Sequence, residues 1–453
     1  MSAYEAVFRH VLYPAYEGGL RGRRTLAYLK EYERDQWLDP EQVAALQWQR
    51  LKRLLEHCER EVPYYQQRWR QLGITAADIR SLDDYARLPV LTKGDIRDHF
   101  DDLKSTSMRD NLLYKATGGS TGEPLRFGYT RESNDRRVAV MWRGYGWAGS
   151  RMGRRTLFLW GGAVGDPGWW HQVKDRLYNA AFARHTLNSF HMTEANMVGF
   201  ADAIDRYRPR VIVAYVGPLV RLAQWLLDNG RKVHAPESII GAAEALHEFQ
   251  RDIVQRAFGC PAYNTYGCRE FMLIASECEQ RHGLHVNADH LVVELRDADG
   301  GRGRSGELLI TDLFNYGMPM LRYVNGDMAV ASDRRCACGR GLPLLERVEG
   351  RVLDAIRTPA GHVLPGEFFP HMLKDVVGVM RFQVVQTRLD RLELAIVRGE
   401  GFDEGSLQYI RREVAKVLGD SVELVCHFVD DISLTPSGKL RVTISRLDAS
   451  EGE

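Results

Sequence analysis

Three short β-prone runs constrain this chain most: Thr156-Leu157-Phe158-Leu159-Trp160, Val211-Ile212-Val213-Ala214-Tyr215 and Ser238-Ile239-Ile240-Gly241. Each is followed by a longer amphipathic stretch, at about 171–207, at about 218–229 and from about Leu246 to Phe258. Strands that alternate with helices cannot pair as hairpins and imply a mainly parallel sheet, so the fold class is α/β. Upstream, to about residue 105, helical periodicity dominates, as in Leu46, Leu51, Leu54 and Leu55, with Cys58 extending the apolar side. Between about 291 and 331 the texture becomes strand and turn, with a Gly-rich hairpin at Asp297 to Gly303 joining 291–295 to 307–311. The last hundred residues predict strands near 381–386, 392–397 and 422–428 and a helix near 404–418, a small α+β domain. The predicted division is therefore 1–352 and 353–453.

The 453 residues suit two or three domains. Sixty-one basic against 60 acidic side chains leave a net charge of +1, which excludes a general nucleic-acid binder working by phosphate neutralisation. At 44% hydrophobic and 10% aromatic, the chain is no disordered polymer. The N-terminus does not read as a secretory signal, and no run of about 18 apolar residues predicts a membrane span. Seven cysteines form no secreted disulfide pattern, which predicts a reducing cytoplasm. Arginine greatly outnumbers lysine, so a lysine in a special setting stands out.

The stretch Thr117-Gly118-Gly119-Ser120-Thr121-Gly122-Glu123-Pro124 combines three glycines, which allow close backbone approach, with three hydroxyls, a composition suited to wrapping phosphate oxygens. Glu123 after Gly122 excludes a Walker A loop, and a plain surface turn is the alternative. Further along stand Tyr263-Asn264-Thr265-Tyr266-Gly267-Cys268-Arg269-Glu270, Leu321-Arg322-Tyr323-Val324-Asn325-Gly326-Asp327, Glu349-Gly350-Arg351 and Pro436-Ser437-Gly438-Lys439-Leu440. Each alone is ordinary turn or strand-end chemistry.

In this order the five stretches resemble the adenylate-forming superfamily of acyl-CoA ligases, and more closely the phenylacetate-CoA ligase family with its capsular-polysaccharide-associated relatives. The resemblance covers about 45–445. It implies a large nucleotide- and acyl-binding domain, a small mobile C-terminal domain, and a two-step reaction. An acid is activated by ATP as acyl-AMP with release of pyrophosphate, and the acyl group then passes to CoA. By the same resemblance Thr117, Ser120, Thr121 and Gly122 hold the ATP phosphates, Tyr266 and Gly267 lie near adenine, and Glu244 belongs to the segment lining that pocket. Glu270 binds Mg²⁺, Asp327 meets the ribose, Arg351 lies toward the hinge, and Lys439 is the lysine delivered by the mobile domain. A positioned ammonium lowers the barrier where charge builds on phosphate oxygens. A homodimer is the family-level expectation.

Three positions depart from the pattern: Glu123 replaces the family's usual Lys, Arg269 stands where Thr or Ser is common, and Leu353 occupies the hinge position of an Asp. Arg269 is read as a contact for the α-phosphate or the acyl carboxylate. The Leu353 departure keeps open transfer to an amine or amino sugar instead of CoA, and a non-catalytic nucleotide-binding scaffold is the third reading. For the acyl pocket the candidates are Trp160, Tyr215 and His191, with no residue reporting the acid's identity. Cys278, Cys336 and Cys338 with a histidine, His285 preferred to His282 because it sits in the strand-like Leu284-His285-Val286, offer three thiols and an imidazole, a set that satisfies tetrahedral zinc, against the alternative of small packing residues.

Overall fold

The computed structural model describes residues 3–116, 125–160, 177–189, 192, 194–297, 299–351, 356–359, 363–364, 368–373, 376–419, 422–433 and 442–447. Thr117, Ser120, Thr121, Gly122, His191, Leu353 and Lys439 lie outside the described residues, as does the side chain of Arg351. The chain divides into two compact units, Met1–Asn325 with Ala329–Arg347, and Gly326–Met328 with Val348–Glu453.

In the larger unit, β1 (Leu113–Ala116) and β2 (Arg126–Tyr129) pair antiparallel as the two arms of the Gly/Ser/Thr stretch. The strands β3 (Thr156–Trp160), β4 (Arg184–Asn188), β5 (Val211–Tyr215), β6 (Ser238–Ala242) and β7 (Ala262–Cys268) are all parallel, in the order β4-β3-β5-β6-β7. Both faces of this half are covered, which is why its central strands read as continuous apolar runs without alternation. Helices Met197–Tyr207, Val216–Asp228 and Glu248–Phe258 pack Ala201, Leu219, Leu222 and Val254 on one face with Leu157, Leu159 and Ile212. On the other, Tyr145 and Ala148, from and just after helix Arg131–Trp147, meet Val211, Val213 and Ile240.

After β7 the chain reverses. β8 (Met272–Glu277) pairs antiparallel with β7, and β9 (Leu284–Val286) antiparallel with β8. The same sheet continues through β13 (Leu344–Arg351), β12 (Tyr323–Ser332), β11 (Ser305–Asp312) and β10 (Leu291–Arg296), giving eleven strands. The β10–β11 hairpin falls where the sequence predicts it. Helix Pro40–Glu61, started by an Asp39 capping box with Gln42, buries Leu51, Leu54, Leu55 and Cys58 in the core that includes Leu291 and Ile310.

One expectation is corrected. The stretch 171–207, read as a single amphipathic segment, contains β4. Its Arg-His-Thr-Leu-Asn sequence carries no apolar run because an edge strand is half solvated, so hydropathy alone misses it.

The smaller unit holds a four-stranded sheet, β18 (Glu423–Phe428), β17 (Arg391–Arg398), β16 (Val379–Arg388) and β19 (Thr443–Ser445), in that order. Helix Glu404–Leu418 buries Ile410 and Val414 with Leu392, Leu394 and Ile396. The short pair β14 (Ile356–Arg357) and β15 (Val363–Leu364) precedes them.

Buried arginines fasten helix Arg131–Trp147 to the antiparallel half. Arg143 donates to both oxygens of Asp289 at 2.5 and 2.8 Å, to Asn287 Oδ1 at 2.6 Å and to the Tyr32 carbonyl at 3.0 Å, with Arg143 and Asp289 fully enclosed. Arg137 likewise meets Asp312 at 2.9 Å. Removing one partner leaves the other charge buried and unpaired, so Asp289→Ala is expected to cost about 3–5 kcal/mol, read by denaturant unfolding. A loss below about 1 kcal/mol, the size of an exposed pair, would contradict this role.

Candidate active site

In a parallel sheet whose strand order reverses, ligands bind beyond the carboxyl ends of the strands at the point of reversal. Here the chain leaves β3 to one side for β4 and then crosses to the other for β5, so the reversal lies between β3 and β5. The last residues of these two strands are Trp160 and Tyr215, whose ring centroids are 4.2 Å apart. Two of the three sequence-predicted acyl-pocket residues are thus brought together at that point, and the third, His191, lies outside the described residues.

The next strand end supplies Glu244. β6 stops at Ala242, and Ala243 adopts φ +69°, a left-handed conformation uncommon outside glycine, which turns the chain sharply. Glu244 Oε2 then accepts from the Gly217 N–H at 2.6 Å, at the start of helix Val216–Asp228. A carboxylate there complements the helix dipole and fixes the loop that follows β6. Burial and the Glu244 carboxylate raise Tyr215 above the ordinary phenol, with Arg269 opposing.

Arg269 and Glu270 sit on the tight connection between β7 and β8. Register shifts between Tyr266 and Gly267, so that Tyr266 faces Ala275 and Gly267 faces Leu273. A Cβ on Gly267 would run into the backbone carbonyl of Met272, which itself holds φ +64°. The glycine is what lets the strands reverse so closely. The consequence is a split of charge: Arg269 is exposed, whereas Glu270 is buried at 7% exposure and accepts from the Tyr323 hydroxyl at 3.2 Å. The Tyr266 hydroxyl in turn accepts from Asn325 Nδ2 at 2.6 Å. A buried carboxylate with a hydroxyl donor on one oxygen fits a hard divalent cation such as Mg²⁺.

Asp327 lies in β12 after Gly326, whose φ is +85°, and Arg351 ends β13. Tyr323, Lys115 and Tyr129 are site neighbours to which the sequence reading gave no role. Tyr323 stands inside the quoted stretch from Leu321 to Asp327, the one signal that could have found it. Lys115 Nζ lies 4.9 Å from the Tyr129 ring centroid.

A second cluster lies in the antiparallel half. Cys278 follows β8, His285 is in β9, and Cys336 and Cys338 precede β13, yet their ligand atoms all fall within 4.8 Å of one another. Cys278 and Cys336 sulfurs are 3.6 Å apart, and Cys338 Sγ is 3.3 Å from His285 Nε2. A tetrahedral zinc with ~2.3 Å bonds sets its sulfurs about 3.8 Å apart, so the spacing fits. His285 Nδ1 lies 3.2 Å from the Leu342 carbonyl, an outer contact that orients the ring. Burial pushes His285 down to about 4, which keeps Nε2 a neutral donor atom, and raises the Cys278 thiol. Cys338 is lowered despite its own burial, because the Arg340 N–H and guanidinium face its sulfur.

A family model described as the CapK C-terminal domain matches residues 356–446. Phenylacetate-coenzyme A ligase of Thermus thermophilus is 30% identical over 386 residues, covering 81% of this chain and 83% of that one. Protein CapK of Staphylococcus aureus is 23% identical, covering 94% of each. The crystal structure of 2-hydroxyisobutyryl-CoA ligase in its postadenylation state superposes with a TM-score of 0.75 at 20% identity, covering 92% of this chain and 93% of that one, a likeness of fold. By its similarity over four-fifths of its length to the Thermus enzyme, the chain belongs to the phenylacetate-CoA ligase family.

Proposed function

We propose that the protein activates a carboxylic acid with ATP as its acyl-AMP, releasing pyrophosphate, and then transfers the acyl group to CoA. The observation that carries the reading is the convergence of Trp160, Tyr215, Glu244 and the Arg269–Glu270 turn at the strand ends, in a chain of this family. Trp160 and Tyr215, with His191, wall the acyl group. Tyr266 and Gly267 flank adenine, with Glu244 on the same loop system. Thr117, Ser120, Thr121 and Gly122 hold phosphate oxygens, Asp327 the ribose, and Arg351 the approach to the small domain from about residue 353. Glu270 would hold Mg²⁺, which neutralises phosphate charge. Arg269, exposed beside it, faces the α-phosphate and the incoming carboxylate. Lys439 stabilises charge developing on the α-phosphate. The reaction belongs to the cytoplasm, where thiols such as the seven unbridged cysteines stay reduced, and a homodimer is the expected assembly.

Acid-dependent ATP–pyrophosphate exchange across aryl, arylacetic and short aliphatic acids is the test, followed by addition of CoA. Exchange with thioester formation is expected. Exchange followed by capture only by amines would replace the second half-reaction, and no exchange with any acid would reject adenylation. Lys439→Ala is expected to lower the exchange rate by about 10²-fold or more, as loss of one transition-state donor does. Unchanged exchange in that variant would remove Lys439 from the first step. Gly267→Ala is expected to abolish exchange by displacing the Glu270 turn, and a variant with wild-type activity would show the close approach to be dispensable.

We further propose that Cys278, His285, Cys336 and Cys338 hold a structural zinc ion, the cluster being closed by four protein ligands with no position left for substrate. One equivalent of zinc per chain is expected by elemental analysis, falling on Cys336→Ser with a drop in thermal stability. Protein purified without any metal but equally stable would dismiss the clip.

A further inference from the structure

We infer that Lys115 binds the β- and γ-phosphates of the nucleotide, an inference that rests on the nucleotide-binding reading of the site. Lys115 is the third residue of β1, two positions before Thr117, and pairs across the hairpin with Phe127. It reaches the ring of Tyr129, at 4.9 Å, and the guanidinium of Arg137 approaches the same ring, at 5.0 Å. Two cations therefore share one aromatic ring. Their electrostatic situations differ. Arg137 is neutralised by Asp312, its Nε and Nη2 both donating to Oδ2 at 3.0 and 2.9 Å. Lys115 meets no carboxylate among the described residues. What acts on it is burial and the positive charge of Arg137 and Arg269, which together hold it below an ordinary lysine.

The rest of the chain shows how unusual this is. Buried ion pairs of the large unit are made by arginine: Arg137–Asp312, Arg143–Asp289, Arg251–Glu277 and Arg322–Glu294. The lysine pairs, Lys104–Asp101 and Lys416–Glu413, each keep one partner in solvent. A half-buried ammonium crowded by two guanidiniums is destabilised unless an anion joins it. The anion that fits is a phosphate, because a lysine presents a compact point charge with three rotatable donors. β1 runs directly into the Gly/Ser/Thr stretch, whose own residue after Gly122 is the acid Glu123. In sequence that stretch therefore brings a negative charge, and Lys115 stands as a positive charge two residues before it.

The test compares wild type, Lys115→Gln and Lys115→Arg by titration with Mg-ATP and with AMP, and by KM values in exchange. Losing a charged hydrogen bond to phosphate is expected to weaken Mg-ATP about tenfold or more in Lys115→Gln. AMP affinity and the KM for the acid should stay within about twofold, since neither ligand carries the distal phosphates. Lys115→Arg should recover most of the loss. Wild-type Mg-ATP affinity in Lys115→Gln, or an equal loss for AMP, would overturn the inference while leaving the adenylation reading in place. Failure of wild type to bind Mg-ATP at all would overturn the nucleotide reading itself, and this inference with it.

Discussion

The close reversal at Gly267 is the constraint on which the site depends. β7 is the last parallel strand and the first antiparallel partner, so the two halves of the sheet are joined through it. A residue with a Cβ at 267 would collide with backbone, which cannot rotate away as a side chain can. Because the strands can approach so closely, the connection between them is only a few residues long. It buries Glu270 and Phe271 and exposes Arg269. The charge split that the proposed chemistry needs thus follows from one missing side chain.

Placement follows from topology in the same way. Parallel strands direct all their carboxyl ends to one edge, and the change of direction between β3 and β5 opens a crevice there. The Trp160–Tyr215 contact lies at this crevice, and the Gly217–Glu244 bond secures the neighbouring loop to a helix N-terminus. Around them, buried charges such as Arg143–Asp289 are closed off in pairs. Lys115, which meets no carboxylate among the described residues, lies instead in the field of Arg137 and Arg269. A nearly neutral chain handles a polyanion by such local imbalance, without a broad basic surface.

Much of this was legible in the sequence, for physical reasons that differ between elements. β5 and β6 were visible because burial on both faces demands continuous apolar residues, and the β10–β11 hairpin because its turn needs glycine and aspartate. Cys278 and His285 join Cys336 and Cys338 on donor chemistry, on the tight Cys-x-Cys turn and on the strand-like setting of His285, and the fold brings them together. β4 was hidden, since a solvated edge strand reads like any polar segment. Lys115 was hidden for another reason: its meaning comes from meeting no carboxylate among the described residues, and sequence shows residues but not which charges are paired. Tyr323 lay within a recognised stretch, yet its contact with Glu270 spans 53 positions and has no local signature.

The cysteine cluster bears on the fold as well as on metal binding. Its ligands come from the end of β8, from β9 and from the turn before β13, and β9 pairs with both of those strands. β9 is only three residues long, so few backbone hydrogen bonds hold it. A zinc ion there would close the 58-residue span from Cys278 to Cys336 and restrict the unfolded chain as a covalent link does. It would also fix the start of β13, the strand within which the chain passes from the larger compact unit to the smaller. A short central strand flanked by ligands on both sides is where such a clip contributes most, because the native pairing there is weakest without it.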